Sequence, residues 1–594
     1  MIFVHRLYTP TGMLLVKDFA QLKKSLKKDV SGLKKIRVAL LGDSATQLLN
    51  LALKATGVDR QQNLDIWEAD FNQVERQIFD PTSEFYAFRP QFVIIFRSSH
   101  QLLKKYNKLN LEDAGKLADN EIGSINALVF QIESILDARI LYYNYPEIND
   151  SVFGNYSNKT SVSFLFQIRK LNYELMNFAV QQNGFYIVDI STLQNQFGKN
   201  VVFDSPIYVN SEMVLSLDIL PHVAAITVDV IDALEGKFKK CVILDLDNTM
   251  WGGIIGDDGL EKILIGSLGT GKAFSEFQYW LKKLKNRGII LTVCSKNSES
   301  IAKEPFEKHP DMVLRLEDIA VFVANWENKV DNIHHIQSIL NISYDSMVFL
   351  DDNPFERNMV REQIPQLTIP ELPEDPANYL EYLYSLNLFE TVSLSEEDKE
   401  RTKMYQSEAQ RSTVQKQYCS EDDFLNSLEM TSLVEPFTKF NIPRVAQLSQ
   451  RSNQFNLRTI RYTETDLEAI VQSDKFITMS FRLEDKFGDN GLISLIILRK
   501  EDHDTLFIET WLMSCRVLKR GMEQFVLNTI VAFGIQNGFK YLTGEYIPTA
   551  KNDMVKNHYA DLGFTQAETY WCLDMTNYKE NKTFIKKIES DGKS

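Results

Sequence analysis

The residues best placed to do chemistry are carboxylates at the ends of apolar runs. Asp245-Leu246-Asp247-Asn248-Thr249 terminates the hydrophobic stretch CVILDLD (241–247), and Asp351-Asp352 terminates MVFLDD (347–352). Leaving a buried strand, such a loop presents its acids at the carboxyl edge of a sheet, where open α/β folds bind ligands. Bare acids there need a cation or another compensating group. Several carboxylates around one point repel, and oxygen-rich hard ligation is what Mg²⁺ selects; the same ion neutralises phosphate. Ser295, ending IILTVCS (289–295), can donate to a phosphoryl oxygen, and Lys329 in NWENKVDN adds positive charge. The competing reading makes these acids helix caps and solvated loop residues.

The elements that must position these groups follow from periodicity. Apolar runs at IRVALLG (36–42), FVIIF (92–96) and ILYYNY (140–145), with helical stretches between, predict a doubly wound parallel sheet in a first domain, 1–235. A second βα alternation spans 236–390, with helices at 272–287 and near 329–340. Pro365, Pro370, Pro373 and Pro376 break periodicity, and EEDKERTKMYQSEAQR (396–411) reads as a charged helix into a third domain, 391–594, of α+β pattern. Gly488, Gly491 and Gly521 are expected at turns or helix entries.

A chain of 594 residues exceeds one domain of about 150 residues, so several cores are required. The net charge of −15 repels a polyanion and argues against nucleic acid as a partner. Five scattered cysteines without a CxxC argue against a disulfide framework or zinc cluster and fit the cytoplasm. The opening MIFVHRLYTPTGMLLVKDF lacks the continuous apolar stretch of a signal peptide, and no apolar run reaches membrane-spanning length.

With DLDNT, VCSKN, the Lys329 segment and FLDDN in order, the chain resembles the haloacid dehalogenase (HAD) superfamily. The resemblance implies that Asp245 attacks phosphorus and Asp247 protonates the leaving oxygen, then activates water. It also implies Mg²⁺ held by Asp245, the Asp247 carbonyl and Asp352, with Asp351 close behind.

A narrower resemblance rests on DLDNTMWGGIIGDDGLE, NWENKVDNI, FLDDNPFERNMVRE, FGDNGLI, SCRVLKRGMEQ and TAKNDMVKNHYADLGF, which look like the FkbH-like multidomain proteins. That family implies a degenerate SGNH-hydrolase-like first domain, a cap-poor HAD phosphatase-type second domain and a GNAT-like third. It implies removal of phosphate from a small phosphorylated acid such as 1,3-bisphosphoglycerate. The resemblance further implies that the glyceryl or acyl unit passes to the thiol of an acyl carrier protein in polyketide biosynthesis. A simple small-metabolite phosphatase and a carrier-binding scaffold without catalysis are the alternatives.

For acyl transfer the candidate nucleophiles are Cys294, beside Ser295, and Cys515, beside Arg516; Cys241 begins its strand at the opposite edge. GNAT-like proteins present R-x-x-G-x-G/A to an acyl-CoA pyrophosphate. Here Arg516, Arg520 and Gly521 are the matching cofactor-binding candidates, but Lys519 replaces the first glycine, which weakens coenzyme A and leaves a phosphopantetheine arm. Tyr559 matches the tyrosine that protonates a thiolate leaving group. Gly42-Asp43-Ser44 resembles the SGNH nucleophile motif, but Asp218…His222 is one residue too long and RSSH stands where G-x-N-D belongs. Serine esterase chemistry is therefore disfavoured there; carrier docking or a structural role is expected instead.

Overall fold

The computed structural model describes residues 17–394, 400–415, 417–452, 454–549 and 551–588, with the side chains of residues 412, 413 and 515 outside the description. The chain opening lies outside the described residues. The described chain divides into two compact units between Asp232 and Ala233.

The first unit is built on five parallel strands: β1 (Lys35–Gly42), β2 (Asn63–Glu68), β3 (Phe92–Phe96), β4 (Arg139–Tyr143) and β5 (Phe185–Val188), in the order β2-β1-β3-β4-β5. Helices on the connections bury both faces, which is why β3 is apolar without alternation. Beyond β1, both carboxylate oxygens of Asp43 accept the Ser98 N–H, at 2.9 and 3.0 Å. His222 packs against Phe197, ring centroids 4.4 Å apart.

The second unit contains two sheets. The first of these is parallel: β6 (Cys241–Leu244), β7 (Ile290–Ser295), β8 (Ile319–Ala324) and β9 (Met347–Leu350), in the order β8-β7-β6-β9. Successive side chains point to opposite faces. Val242, Leu244, Leu291, Val293, Val348 and Leu350 meet the helix Gly269–Asn286 through Phe277 and Leu281. Cys241, Ile243, Cys294, Met347 and Phe349 meet Ile333 and Ile336 of the helix Lys329–Leu340. From central β6 the chain runs outward through β7 and β8, then returns to place β9 on the other side. The switch point of this sheet therefore lies between the ends of β6 and β9.

The other sheet is α+β: β10 (Thr431–Glu435), β11 (Phe476–Asp485), β12 (Gly488–Lys500), β13 (Thr505–Met513), β14 (Tyr541–Gly544), β15 (Thr565–Ala567), β16 (Tyr570–Asp574) and β17 (Lys586–Ile588). The order is β15-β16-β14-β13-β12-β11-β10-β17, antiparallel except for β13–β14 and β10–β17. The helix Met522–Gln536 crosses between β13 and β14. Gly491 lies within β12, not at a turn: its φ of +69° accompanies register shifts against β11, the signature of bulging. The charged helix is observed at Arg401–Gln415. It joins the two sheets, with Gln406 donating to Ile319 O at 2.9 Å and Arg411 paired with Asp485 at 2.8 Å.

Candidate active site at the edge of the second sheet

β6 ends at Leu244, and Asp245 N–H still donates to Leu350 O (3.0 Å), so the first residues past β6 and β9 stay side by side. Lys329, the first residue of its helix, projects between them. Its ammonium lies 2.8 Å from Asp245 and 2.5 Å from Asp351. Oxygens of Asp245, Asp351 and Asp352 lie within 4.8 Å of one another. Ser295 ends the adjacent β7 and is buried.

Three clustered carboxylates, two of them paired with one ammonium, leave an excess of negative charge in a largely buried site. Burial first, and then Asp245, raise the carboxyl pKa values of Asp351 and Asp352. Burial works against the Lys329 ammonium, but Asp245 and Asp351 outweigh it and hold its pKa above normal. A divalent cation with a preference for oxygen fits this donor set and this charge imbalance.

Asp247 is held differently. Its Oδ1 accepts the Trp251 indole N–H and the Ile255 backbone N–H, both at 3.0 Å, and its Oδ2 accepts Asn297 Nδ2 at 3.1 Å. Burial raises its pKa despite these donors. A half-buried carboxyl, oriented by neutral donors and free of any direct cation pair, suits proton transfer. Asn248 makes the turn with φ of +55°, and its side chain accepts the Gly253 N–H at 2.9 Å.

Sequence reasoning did not assign roles to Trp251, Asn297, Thr249 or Arg357. Thr249 Oγ donates to Asp352 at 3.2 Å, and Arg357 donates to the carbonyls of Asp351 and Asp352. All four stand within or beside the quoted motifs, Arg357 inside FLDDNPFERNMVRE, which was the available signal.

Other candidates are placed elsewhere. Cys294 is fully buried on the face that meets Ile333 and Ile336, its Sγ 3.8 Å from Lys329 O, and burial drives its thiol pKa far up. It is a core residue, and the expectation of an accessible nucleophile there is corrected. The Cys515 side chain lies outside the described ones. Arg520 is also corrected as an anion ligand. At 4% exposure it is spent on Asp485 (3.1 Å), Glu408 and Arg516 O (2.7 Å), and burial pulls its pKa down to about 10. Gly521, φ +76°, begins the helix Met522–Gln536, and Lys519 adopts φ +63° in the turn before it. Arg516 Nε donates to Ser514 Oγ at 3.1 Å. Tyr559 is sealed at 1% exposure against Gly544, and burial raises its pKa.

Residues 37–232 match the family described as FkbH, N-terminal domain. The chain is 57% identical to a solved structure, the N-terminal part of a Bacteroides fragilis protein containing a phosphatase domain, complexed with Mg. That likeness covers 64% of this chain and all of that one, with a TM-score of 0.61. A HAD-like hydrolase superfamily protein of Schizosaccharomyces pombe is 27% identical over 169 residues, 25% of this chain and 94% of that protein. A parallel sheet with acids gathered at its switch point, beside a helix-borne lysine, is the fold and site of a HAD-like hydrolase. The chain belongs to the FkbH-like proteins of that superfamily.

Proposed function

We propose that the chain is a magnesium-dependent phosphoryl-transfer enzyme acting on a small phosphorylated acid. The observation that carries this reading is the placement of Asp245 and Asp351 on one buried ammonium, with Asp352 in ligand range. Asp245, Asp351 and Asp352 would hold Mg²⁺, which supplies charge neutralisation for the phosphoryl oxygens. An Asp245 oxygen forms a bond to phosphorus while the bond to the leaving oxygen breaks, and Asp247 gives that oxygen its proton. In the second half Asp247 takes a proton from water, whose oxygen attacks phosphorus and releases Asp245. Lys329 and Ser295 stabilise charge on the phosphoryl group.

The FkbH-like membership supports a finer reading: the substrate is 1,3-bisphosphoglycerate-like, and its acyl group passes to an acyl carrier protein in the cytoplasm. On this reading an SGNH-like domain (1–235), a phosphatase domain (236–390) and a GNAT-like domain (391–594) divide the work. Burial of Cys294 favours the simpler reading, a small-metabolite phosphatase. No helix among the described residues is long and apolar enough to cross a membrane.

Purified chain, Mg²⁺, 1,3-bisphosphoglycerate and a carrier protein bearing phosphopantetheine, followed by intact mass, test both. A glyceryl adduct supports acyl transfer, and free phosphate alone supports the phosphatase. Equal phosphate release from wild type and Asp245→Asn removes the phosphoryl-transfer reading.

A further inference from the structure

Asp351 and Asp352 are consecutive, and their carboxylates share a site with Asp245, so mutual repulsion pushes the loop that carries them apart. Something must hold that backbone. Arg357, in the helix Pro354–Gln363 that follows, is buried at 4% exposure. Its Nη1 donates to the carbonyl oxygens of both Asp351 and Asp352, at 2.7 Å each. Its remaining edge is forked onto Glu371, with Nε 3.0 Å and Nη2 2.9 Å from Oε2.

Glu371 is itself anchored. The chain returns from the helix alongside β9, where Phe349 N–H donates to Thr368 O at 2.9 Å. Glu371 N–H donates to the Tyr382 hydroxyl at 3.0 Å, and Arg361 pairs with the same carboxylate. The segment also reaches the other catalytic loop, where the Tyr379 hydroxyl donates to Asn248 O at 3.2 Å. The stretch whose prolines break periodicity in the sequence thus grips both loops of the site.

We propose that Arg357, oriented by Glu371, is a positioning residue that presets Asp351 and Asp352 for the divalent cation. The inference rests on reading this edge as a metal site. Neither Arg357 nor Glu371 is a ligand. A planar guanidinium presents donors to two carbonyls and a carboxylate in a fixed fork, whereas the three donors of a lysine ammonium on a flexible stem are not pre-organised for that arrangement.

The test is Mg²⁺ titration calorimetry on the full chain without substrate, for wild type, Arg357→Lys, Glu371→Gln and the double variant, with melting in EDTA alongside. Arg357→Lys is expected to weaken Mg²⁺ binding about tenfold or more, the range seen for residues that orient metal ligands. Glu371→Gln weakens it less, and the double variant no more than Arg357→Lys, because Glu371 acts through Arg357. Raising Mg²⁺ increases turnover by a larger factor for Arg357→Lys than for wild type, which separates lost metal affinity from general damage. Should Arg357→Lys not fold, weakened binding by Glu371→Gln with wild-type melting in EDTA decides for the proposal. Wild-type Mg²⁺ affinity in the folded variants overturns it. A wild-type chain that binds no Mg²⁺ removes the metal-site reading and this proposal together.

Discussion

The indole N–H of Trp251 donates to Oδ1 of Asp247 at 3.0 Å, from a ring that is fully buried and edge-on to Phe306. A ring so packed cannot follow the carboxylate if it turns, so the bond selects one orientation of Asp247. Hydrogen bonds to a charged group are worth about 1.5–3 kcal/mol. Trp251→Phe keeps the packing and removes the donor. The expected result is a kcat lower by about tenfold to a hundredfold with KM nearly unchanged, measured by phosphate release. An unaltered kcat would refute the orienting role.

Lys329 is 3% exposed and faces two carboxylates. Lys329→Met leaves them uncompensated, a loss of about 3–5 kcal/mol when a buried pair is broken. Calorimetric melting of the full chain in EDTA should show a clear drop for the transition of the second unit. Added Mg²⁺ should recover more of it than it adds to wild type, because the ion supplies the missing positive charge. Unchanged melting in EDTA would contradict this.

Cys241 and Cys294 are fully buried, and burial pushes the Cys241 thiol up to about 12 and the Cys294 thiol further. Cys419 is exposed. A thiol-alkylating reagent applied to native protein should modify Cys419 and spare Cys241 and Cys294 until the chain unfolds, as read by peptide mass mapping. Cys294→Ala should retain phosphate release.

In the first unit, burial pushes Asp43 from 3.8 to about 7 against the Ser98 N–H bonds and the charge of Arg97. A raised folded pKa means that the folded state binds the proton more tightly. The stability it contributes is full below about pH 4 and is lost as pH rises through about 7. At about 1.4 kcal/mol per unit the span is up to about 4 kcal/mol. Asp43→Asn keeps an oxygen for Ser98 N–H and carries no charge. Its melting profile for this unit should be flatter than wild type from pH 4.5 to 7.5; parallel profiles would rule out Asp43 as the source.

Much of the site was legible because buried parallel strands are unbroken apolar runs that stop abruptly. The acids at 245, 247, 351 and 352 mark those stops, and the edge they share follows from strand direction alone. The βα alternation, the α+β pattern of the last sheet and the joining charged helix were likewise visible in periodicity.

Tertiary structure decided which face each alternating side chain takes. Cys294 and Ser295 are neighbours in sequence, but strand parity turns Cys294 into the packing of Ile333 and Ile336. Arg520 stands in a motif that reads as an anion site, yet the hairpin of β11 and β12 brings Asp485 against it, and a buried arginine takes the carboxylate within reach. The pairing of Arg357 with Glu371 spans 14 residues across prolines that carry no periodic signal. Local pattern reports which residues are buried and where strands end. Which charges neutralise one another depends on distances set only when the sheets close.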